Sequence, residues 1–78
     1  MNIDIRKSVI NNFLEAGENE IEEAITSSFQ DKEEITLPGL GVFFELLWSA
    51  SNDETRKIIV GNIQKFLKEE KGKDNSEI

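Results

Sequence analysis

The hydrophobic residues of this 78-residue chain fall into four stretches, separated by polar or turn-forming residues. In the first stretch, apolar side chains recur at steps of three and four residues, which is the spacing of one helix face: Ile5, Val9, Ile10, Phe13 and Leu14. Asn2 or Asp4 could cap the start of this helix, and Gly17 suits the left-handed position that follows many helices. The pattern predicts a first, short helix that depends on tertiary contacts.

The second stretch has the same helical spacing over Ile21, Ala24, Ile25, Ser28 and Phe29. Asn19 and Glu22 are three residues apart, as in a capping box, so the helix is predicted to begin near Asn19. Its early glutamates lie in the first turn, where the helix dipole favours negative charge.

The third stretch, from about Leu40 to Ser49, contains the only tryptophan and two of the five phenylalanines. As a strand it would have one wholly apolar face and one mixed face. As a helix its non-apolar residues would form a single stripe at steps of four: Gly41, Glu45 and Ser49. We therefore predict a mostly buried helix, with a strand as the alternative. Pro38 fits a helix start, and Leu37 before it is expected to be extended.

The fourth stretch predicts a last helix, with Ser51 and Glu54 as its capping box and an apolar core face made of Ile59, Ile63, Phe66 and Leu67. Gly61 inside it costs about 1 kcal/mol relative to alanine and could mark a close helix crossing. The fold class is then all-α: one small domain of four helices at residues 1–69, around a central buried hydrophobic helix. A disordered polar tail is expected at residues 70–78.

Composition and charge narrow the functional classes. The chain has no cysteine and no histidine, which excludes disulfides, thiolate or imidazole metal sites and histidine-based triads. Its net charge of −7 disfavours a nucleic-acid partner. Residues 15–34 hold eight acids and one base, or −7, whereas residues 56–73 hold six bases and two acids, or +4. These two segments either attract one another, within or between chains, or are ordinary solvated helix faces.

A core of this size rarely supplies more than about 3–5 kcal/mol of stability, so we expect modest stability or self-association. No signal-peptide pattern is visible, and the apolar run at residues 40–48 is far shorter than a bilayer span. We therefore expect a soluble, intracellular protein without a membrane partner.

Candidate chemistry is sparse. Glu45 is either a perturbed carboxyl in a pocket or an exposed residue of the polar stripe. The glycines of residues 38–41 lack the remaining positions of a dinucleotide or phosphate-loop motif, so they are interpreted as turn and packing residues. Phe43, Phe44 and Trp48 form either core or a candidate interaction surface. We expect no catalytic residue, no metal site, no cofactor and no enzymatic activity.

Two resemblances extend this interpretation. Residues 35–43, which follow two helices, resemble the first half of an HU-type nucleoid protein, although the basic arm and basic sheet that such a protein needs for DNA are missing. A closer resemblance is to the small acid-soluble spore protein I family of endospore-forming bacteria. It spans Asn2 to about Leu67 and is carried by three features: Ile5-Arg6-Lys7 with Val9-Ile10, the acidic segment ending in Glu33-Glu34, and Leu37-Pro38-Gly39-Leu40-Gly41-Val42-Phe43-Phe44-Glu45 leading to Leu47-Trp48.

This second resemblance implies a minor, non-catalytic protein of the forespore and spore core, with a structural or interaction role in sporulation. Self-association or a protein partner in the spore core would fit that role. The first alternative is a small acidic adaptor or dimerising module, and the second is an HU-like nucleic-acid binder.

Overall fold

The computed structural model describes residues 4–76, and it describes side chains for residues 4–72. The elements in chain order are α1 (Ile5–Asn12), α2 (Glu18–Asp31), a short 3₁₀ turn (Glu34–Thr36), α3 (Leu37–Ala50) and α4 (Asp53–Ser76). No strand occurs between residues 4 and 76. The predicted all-α fold of four helices is confirmed, and the central stretch is a helix rather than a strand.

The first two helix starts show how local capping sets element boundaries. The Asp4 carboxylate accepts a hydrogen bond from the Lys7 backbone N–H at 2.9 Å, so Asp4 caps α1. The N-cap of α2 is Gly17 in an extended conformation (φ −81°), and the Glu20 carboxylate accepts from the Gly17 N–H at 3.4 Å. The expected start near Asn19 is therefore wrong by two residues, because Gly17 and Glu20 have the same three-residue spacing as Asn19 and Glu22.

The start of α4 also differs by one residue from the prediction. The Asn52 side chain accepts from the Thr55 N–H at 2.9 Å and caps the helix. Ser51, the predicted cap, is instead the C-cap of α3, where the backbone becomes extended (φ −89°, ψ 141°), and its hydroxyl donates to the Leu47 carbonyl at 2.6 Å.

Helix α3 begins at Leu37, earlier than predicted. Leu37 is helical (φ −61°, ψ −40°) rather than extended, although it precedes Pro38. The preceding 3₁₀ turn explains this difference: the Thr36 N–H donates to the Glu33 carbonyl at 3.1 Å, and the Thr36 hydroxyl lies 2.7 Å from the same oxygen. The chain therefore enters Leu37 already wound, and Pro38 sits in a first turn where its missing N–H leaves no bond unmade.

Helices α1 and α2 both pack against α3, which makes α3 the central element. The rings of Phe13 and Phe43 meet edge to face at 5.2 Å between centroids and join α1 to α3. Within residues 4–72 Val42 is the one buried hydrophobic residue, at 6% exposure, whereas Phe44 remains 43% exposed. The narrow polar stripe of Gly41, Glu45 and Ser49 predicted that the rest of α3 would be buried. The observed burial of α3 is less complete.

The reason is the course of α4. This helix is 24 residues long and adds little to the packing around α3. The radius of gyration is 15.4 Å, compared with about 11–12 Å for a compact domain of this length. The predicted core face of α4 is accordingly wrong for most of its members, because Ile63, Phe66 and Leu67 are exposed.

Helix α4 continues past residue 69 to Ser76, so the predicted boundary between domain and tail falls inside a helix. Disorder was predicted for residues 70–78. Residues 77 and 78, and the side chains of residues 73–78, lie outside the described part of the chain, so the prediction is not tested there.

Gly41 provides a first testable prediction. It lies inside α3, is exposed, and an added Cβ would meet no atom within 4 Å. Gly41→Ala should therefore stabilise the protein by about 0.5–1 kcal/mol, because alanine loses less backbone entropy in a helix. Thermal unfolding followed by circular dichroism measures the effect. Gly17→Ala is the matched control and should not stabilise, since alanine is a poor N-cap; equal gains at both sites would contradict the prediction.

Candidate functional site

An open groove lies between α1, α3 and α4, and among the described residues it is the strongest candidate for a functional site. Its volume is about 590 Å³. We call it the α3–α4 groove, and its apolar lining comprises Ile10, Phe44, Leu46, Trp48, Val60 and Ile63. Arg6, Glu45 and Ser49 supply its polar lining. Five of the six apolar residues come from α3 and α4, and the groove is open because α4 turns away from α3.

The three aromatic residues predicted as a candidate interaction surface are divided by the structure. Phe44 and Trp48 are four residues apart on α3, and their rings stack with centroids 5.9 Å apart and planes at 25°. Both line the α3–α4 groove. Phe43 does not line this groove and packs instead on Phe13. The groove therefore brings together two of the three residues.

Arg56 fixes the position of Trp48, and sequence reasoning missed this role. Its guanidinium lies 4.9 Å from the Trp48 ring centroid, within the range of a cation–π contact. It also donates two hydrogen bonds to the Trp48 backbone carbonyl, from Nε at 3.0 Å and from an η nitrogen at 2.8 Å. Carbonyls in the last turn of a helix lack partners within the helix and carry its partial negative charge. A cation in the first turn of the next helix is the only signal that the sequence offered.

Glu45 forms an ion pair with Arg6 at the edge of the groove. Arg6 Nε donates to Glu45 Oε1 at 2.6 Å, and an Arg6 η nitrogen donates to Oε2 at 2.9 Å. The hydrogen bond from Arg6 lowers the pKa of Glu45 below its usual value, and the same bond raises the pKa of Arg6. Glu45 is exposed and charged, as the stripe interpretation predicted, rather than a carboxyl whose pKa is raised in a pocket.

The Arg6–Glu45 pair gives a pH-dependent prediction. Because the folded state lowers the pKa of Glu45, the pair stabilises the fold above the unfolded pKa of about 4.3. That contribution is lost as the pH falls through the lower, folded pKa. We therefore expect the stability difference between the wild type and Glu45→Gln to shrink on acidification, measured by urea unfolding at neutral and acid pH.

The control is the same comparison in an Arg6→Gln background. There Glu45 has lost its partner, so Glu45→Gln should change the stability by a similar amount at each pH. A pH dependence that persists without Arg6 would contradict the assignment of the pair.

A second groove adjoins the first on the other side of α1. It has a volume of about 480 Å³ and we call it the α2–α3 groove; its lining residues are Ile10, Phe13, Leu14, Ile21, Ile25, Phe43, Leu46 and Leu47. Ile10 and Leu46 line both grooves. The two grooves therefore form one continuous surface, which we call the apolar surface.

The described part of the chain lacks two other features. It contains no group of three or more carboxylates placed to hold a metal ion. No helix in that part is long and apolar enough to cross a membrane.

The fold and this surface define a small, acidic, all-helical protein with an open apolar face. Residues 3–67 match the protein family described as "Small, acid-soluble spore protein I", and the chain belongs to this family. The resemblance drawn from residues 37–48 is thereby confirmed.

Individual relatives carry the same description. The small, acid-soluble spore protein I of Halalkalibacterium halodurans is 34% identical over 67 residues, covering 86% of this chain and 98% of the relative. That of Bacillus velezensis is 34% identical over 68 residues, covering 87% and 96%. That of Geobacillus kaustophilus is 28% identical over 69 residues, covering 88% and 100%. No solved structure matches the chain.

Proposed function

We propose that this chain is a non-catalytic protein of the spore core that acts by binding another protein chain through its apolar surface. Membership of a spore-protein family supports the place and the time of action. The observation that carries the binding role is the Phe44–Trp48 stack beside an open apolar groove, in which Phe44 is exposed and Trp48 is half-buried.

The chemistry of the groove supports a protein ligand. Contiguous exposed apolar patches on small proteins mark interaction sites, and tryptophan is enriched among residues that dominate binding energy. Small-molecule sites use a few polar groups to orient the ligand. Here the charged groups of Arg6 and Glu45 already satisfy one another, so the groove chiefly offers apolar contact. The net charge of −7 favours a protein partner over a nucleic acid.

Location is tested by following the chain through sporulation. Vegetative cells, and spores that have been stripped of coat and then broken, are compared by immunoblotting with an antibody against this chain. We expect the protein in the core fraction of spores and not in growing cells. Abundance in vegetative cells together with absence from spores would overturn the proposed place of action.

Binding is tested by photo-crosslinking inside spores. A photoreactive amino acid replaces Phe44 or Leu47, which lie in the two grooves. We expect a crosslinked protein adduct from both positions. Ile35 is the matched control because it is apolar and 85% exposed but lines neither groove. Adducts from Ile35 alone, or from none of the three positions, would overturn a binding role for the apolar surface.

A further inference from the structure

The distal part of α4 presents apolar side chains that its own chain does not cover. Phe66 and Leu67 are 60% and 59% exposed and line neither groove. They continue a stripe whose earlier members, Val60 and Ile63, form one wall of the α3–α4 groove. The spacing of Val60, Ile63 and Leu67, at three and four residues, is that of a helix face which packs on another surface.

The chain exposes more surface than a compact monomer of its mass would. The accessible surface of the chain is 6999 Å², whereas a folded monomer of 8.9 kDa exposes about 4,800 Å². The surplus of about 2,000 Å² exceeds the roughly 800 Å² that each partner buries in an interface of standard size. Each chain therefore has enough surplus surface for a stable dimer.

Charge indicates which surfaces would meet. On α2, Glu18 and Glu22 lie one or two turns before Ile25, which lines the α2–α3 groove, and so flank that groove. On α4, Lys71 lies one turn after Leu67 on the same face, and Lys68 directly follows Leu67 in the sequence. None of these four side chains forms an ion pair within residues 4–72.

Helix α4 is also not among the elements that pack on α2 in the same chain. The acidic segment, at −7, and the basic segment, at +4, are therefore complementary surfaces that lie apart in the monomer.

We propose that two copies of this chain form a symmetric homodimer in which the distal part of α4 in each copy seats Phe66 and Leu67 in the α2–α3 groove of the other. A two-fold axis makes both contacts at once, which closes the assembly at two chains. The inference rests on the proposed binding role of the apolar surface, and it names the partner as a second copy of the chain.

Dimerisation would also supply the core that the monomer lacks. With Val42 as the one buried apolar residue among those whose side chains are described, folding and association become linked, and mass action then raises the stability with protein concentration. The melting temperature of the full chain should increase as its concentration is raised.

The test begins with sedimentation equilibrium of the full chain, from about 1 µM to about 1 mM, the range in which modest interfaces bind. We expect a shift from 8.9 kDa towards twice that mass. Phe66→Glu and Leu67→Glu should each move the transition to at least tenfold higher concentration, because they place a carboxylate in an apolar groove. Ile58→Glu is the matched control: Ile58 is 60% exposed on the same helix but lies off the stripe, so the transition should remain where it is.

Charge reversal tests the pairing of α2 with α4. A chain with Glu18→Lys and Glu22→Lys, and another with Lys68→Glu and Lys71→Glu, should each associate more weakly than the wild type, because like charges would meet. When the two variants are mixed, opposite charges meet at both contacts, so a heterodimer is expected. Failure of the mixture to associate more tightly than either variant alone would overturn this geometry.

The remaining outcomes separate the homodimer from the proposed function. A chain that stays monomeric at every concentration overturns the homodimer. If Leu67→Glu lowers the melting temperature but does not change the mass, α4 folds back on its own chain instead, and the homodimer is again wrong. Aggregates that grow beyond two chains overturn the two-fold symmetry. If the monomeric chain still crosslinks to a different protein in spores, the binding role stands and the homodimer is wrong.

Discussion

Replacing Val42 with aspartate is expected to unfold the protein. Val42 is the buried residue of α3, at 6% exposure, and α3 is the helix on which α1 and α2 pack. A carboxylate buried there without a partner costs several kcal/mol. A single core of this size supplies only about 3–5 kcal/mol, so the substitution removes most or all of the stability. Circular dichroism should show a large loss of helix and no cooperative thermal transition.

Two further variants make this prediction specific. Val42→Ala removes two methyl groups and leaves a small cavity, so it should cost roughly 2 kcal/mol and lower the melting temperature without unfolding the chain. Ser49→Asp places the same carboxylate on the same helix at an exposed position, and it should retain the helix content. A folded Val42→Asp variant would show that the packing around Val42 does not hold the domain together.

Sequence periodicity was sufficient to predict the helices but not every boundary. The apolar spacing of Ile21, Ile25 and Phe29 is that of an α-helix, and all three residues lie in α2. Two overlapping pairs with the same spacing, Gly17 with Glu20 and Asn19 with Glu22, could each cap the helix, and α2 uses the first. Leu37 departs from its local preference because a 3₁₀ turn precedes it.

Burial was harder to predict than secondary structure. Apolar density on α3 and α4 shows which residues would gain from burial, but not which surface covers them. Residues such as Phe66 and Leu67 have the sequence pattern of a core face, yet they are exposed because α4 runs away from α3. The apolar pattern of α4 therefore predicts that these residues pack against another surface, and the same chain does not supply that surface.

The contacts that shape the candidate site were beyond sequence reasoning for a different reason. Arg6 and Glu45 are 39 residues apart, and neither residue type nor spacing pairs them. Arg56 and Trp48 are eight residues apart but lie on different helices, so their contact depends on the angle of the corner at Ser51 and Asn52. Phe44 and Trp48 were predictable as neighbours because they are four residues apart on one helix.

Loss of Arg56 is expected to release α4 from α3. Its guanidinium makes two part-buried hydrogen bonds to the Trp48 carbonyl and a cation–π contact with the indole. Hydrogen bonds that involve a charged group contribute about 1.5–3 kcal/mol, and an exposed cation–π contact contributes about 0.5–1 kcal/mol. Both hydrogen bonds end on one carbonyl oxygen and Arg56 is only half-buried, so the two bonds are counted once, at the low end of that range. Arg56→Ala should then cost about 2 kcal/mol, which corresponds to a fall in melting temperature of roughly 8–16 °C for a domain of this size.

Tryptophan fluorescence separates this local effect from a general loss of stability. Because Arg56 covers the ring of Trp48, Arg56→Ala should make the emission redder and more readily quenched by iodide or acrylamide while the helix content stays near that of the wild type. Arg56→Lys keeps the positive charge but loses the pair of parallel N–H donors. Its emission wavelength and quenching should therefore lie between those of the wild type and of Arg56→Ala. Lys57→Ala, which removes the neighbouring cation, should leave the emission unchanged; equal changes in the Lys57 and Arg56 variants would mean that charge in this turn, rather than the Arg56 contact, holds α4 beside Trp48.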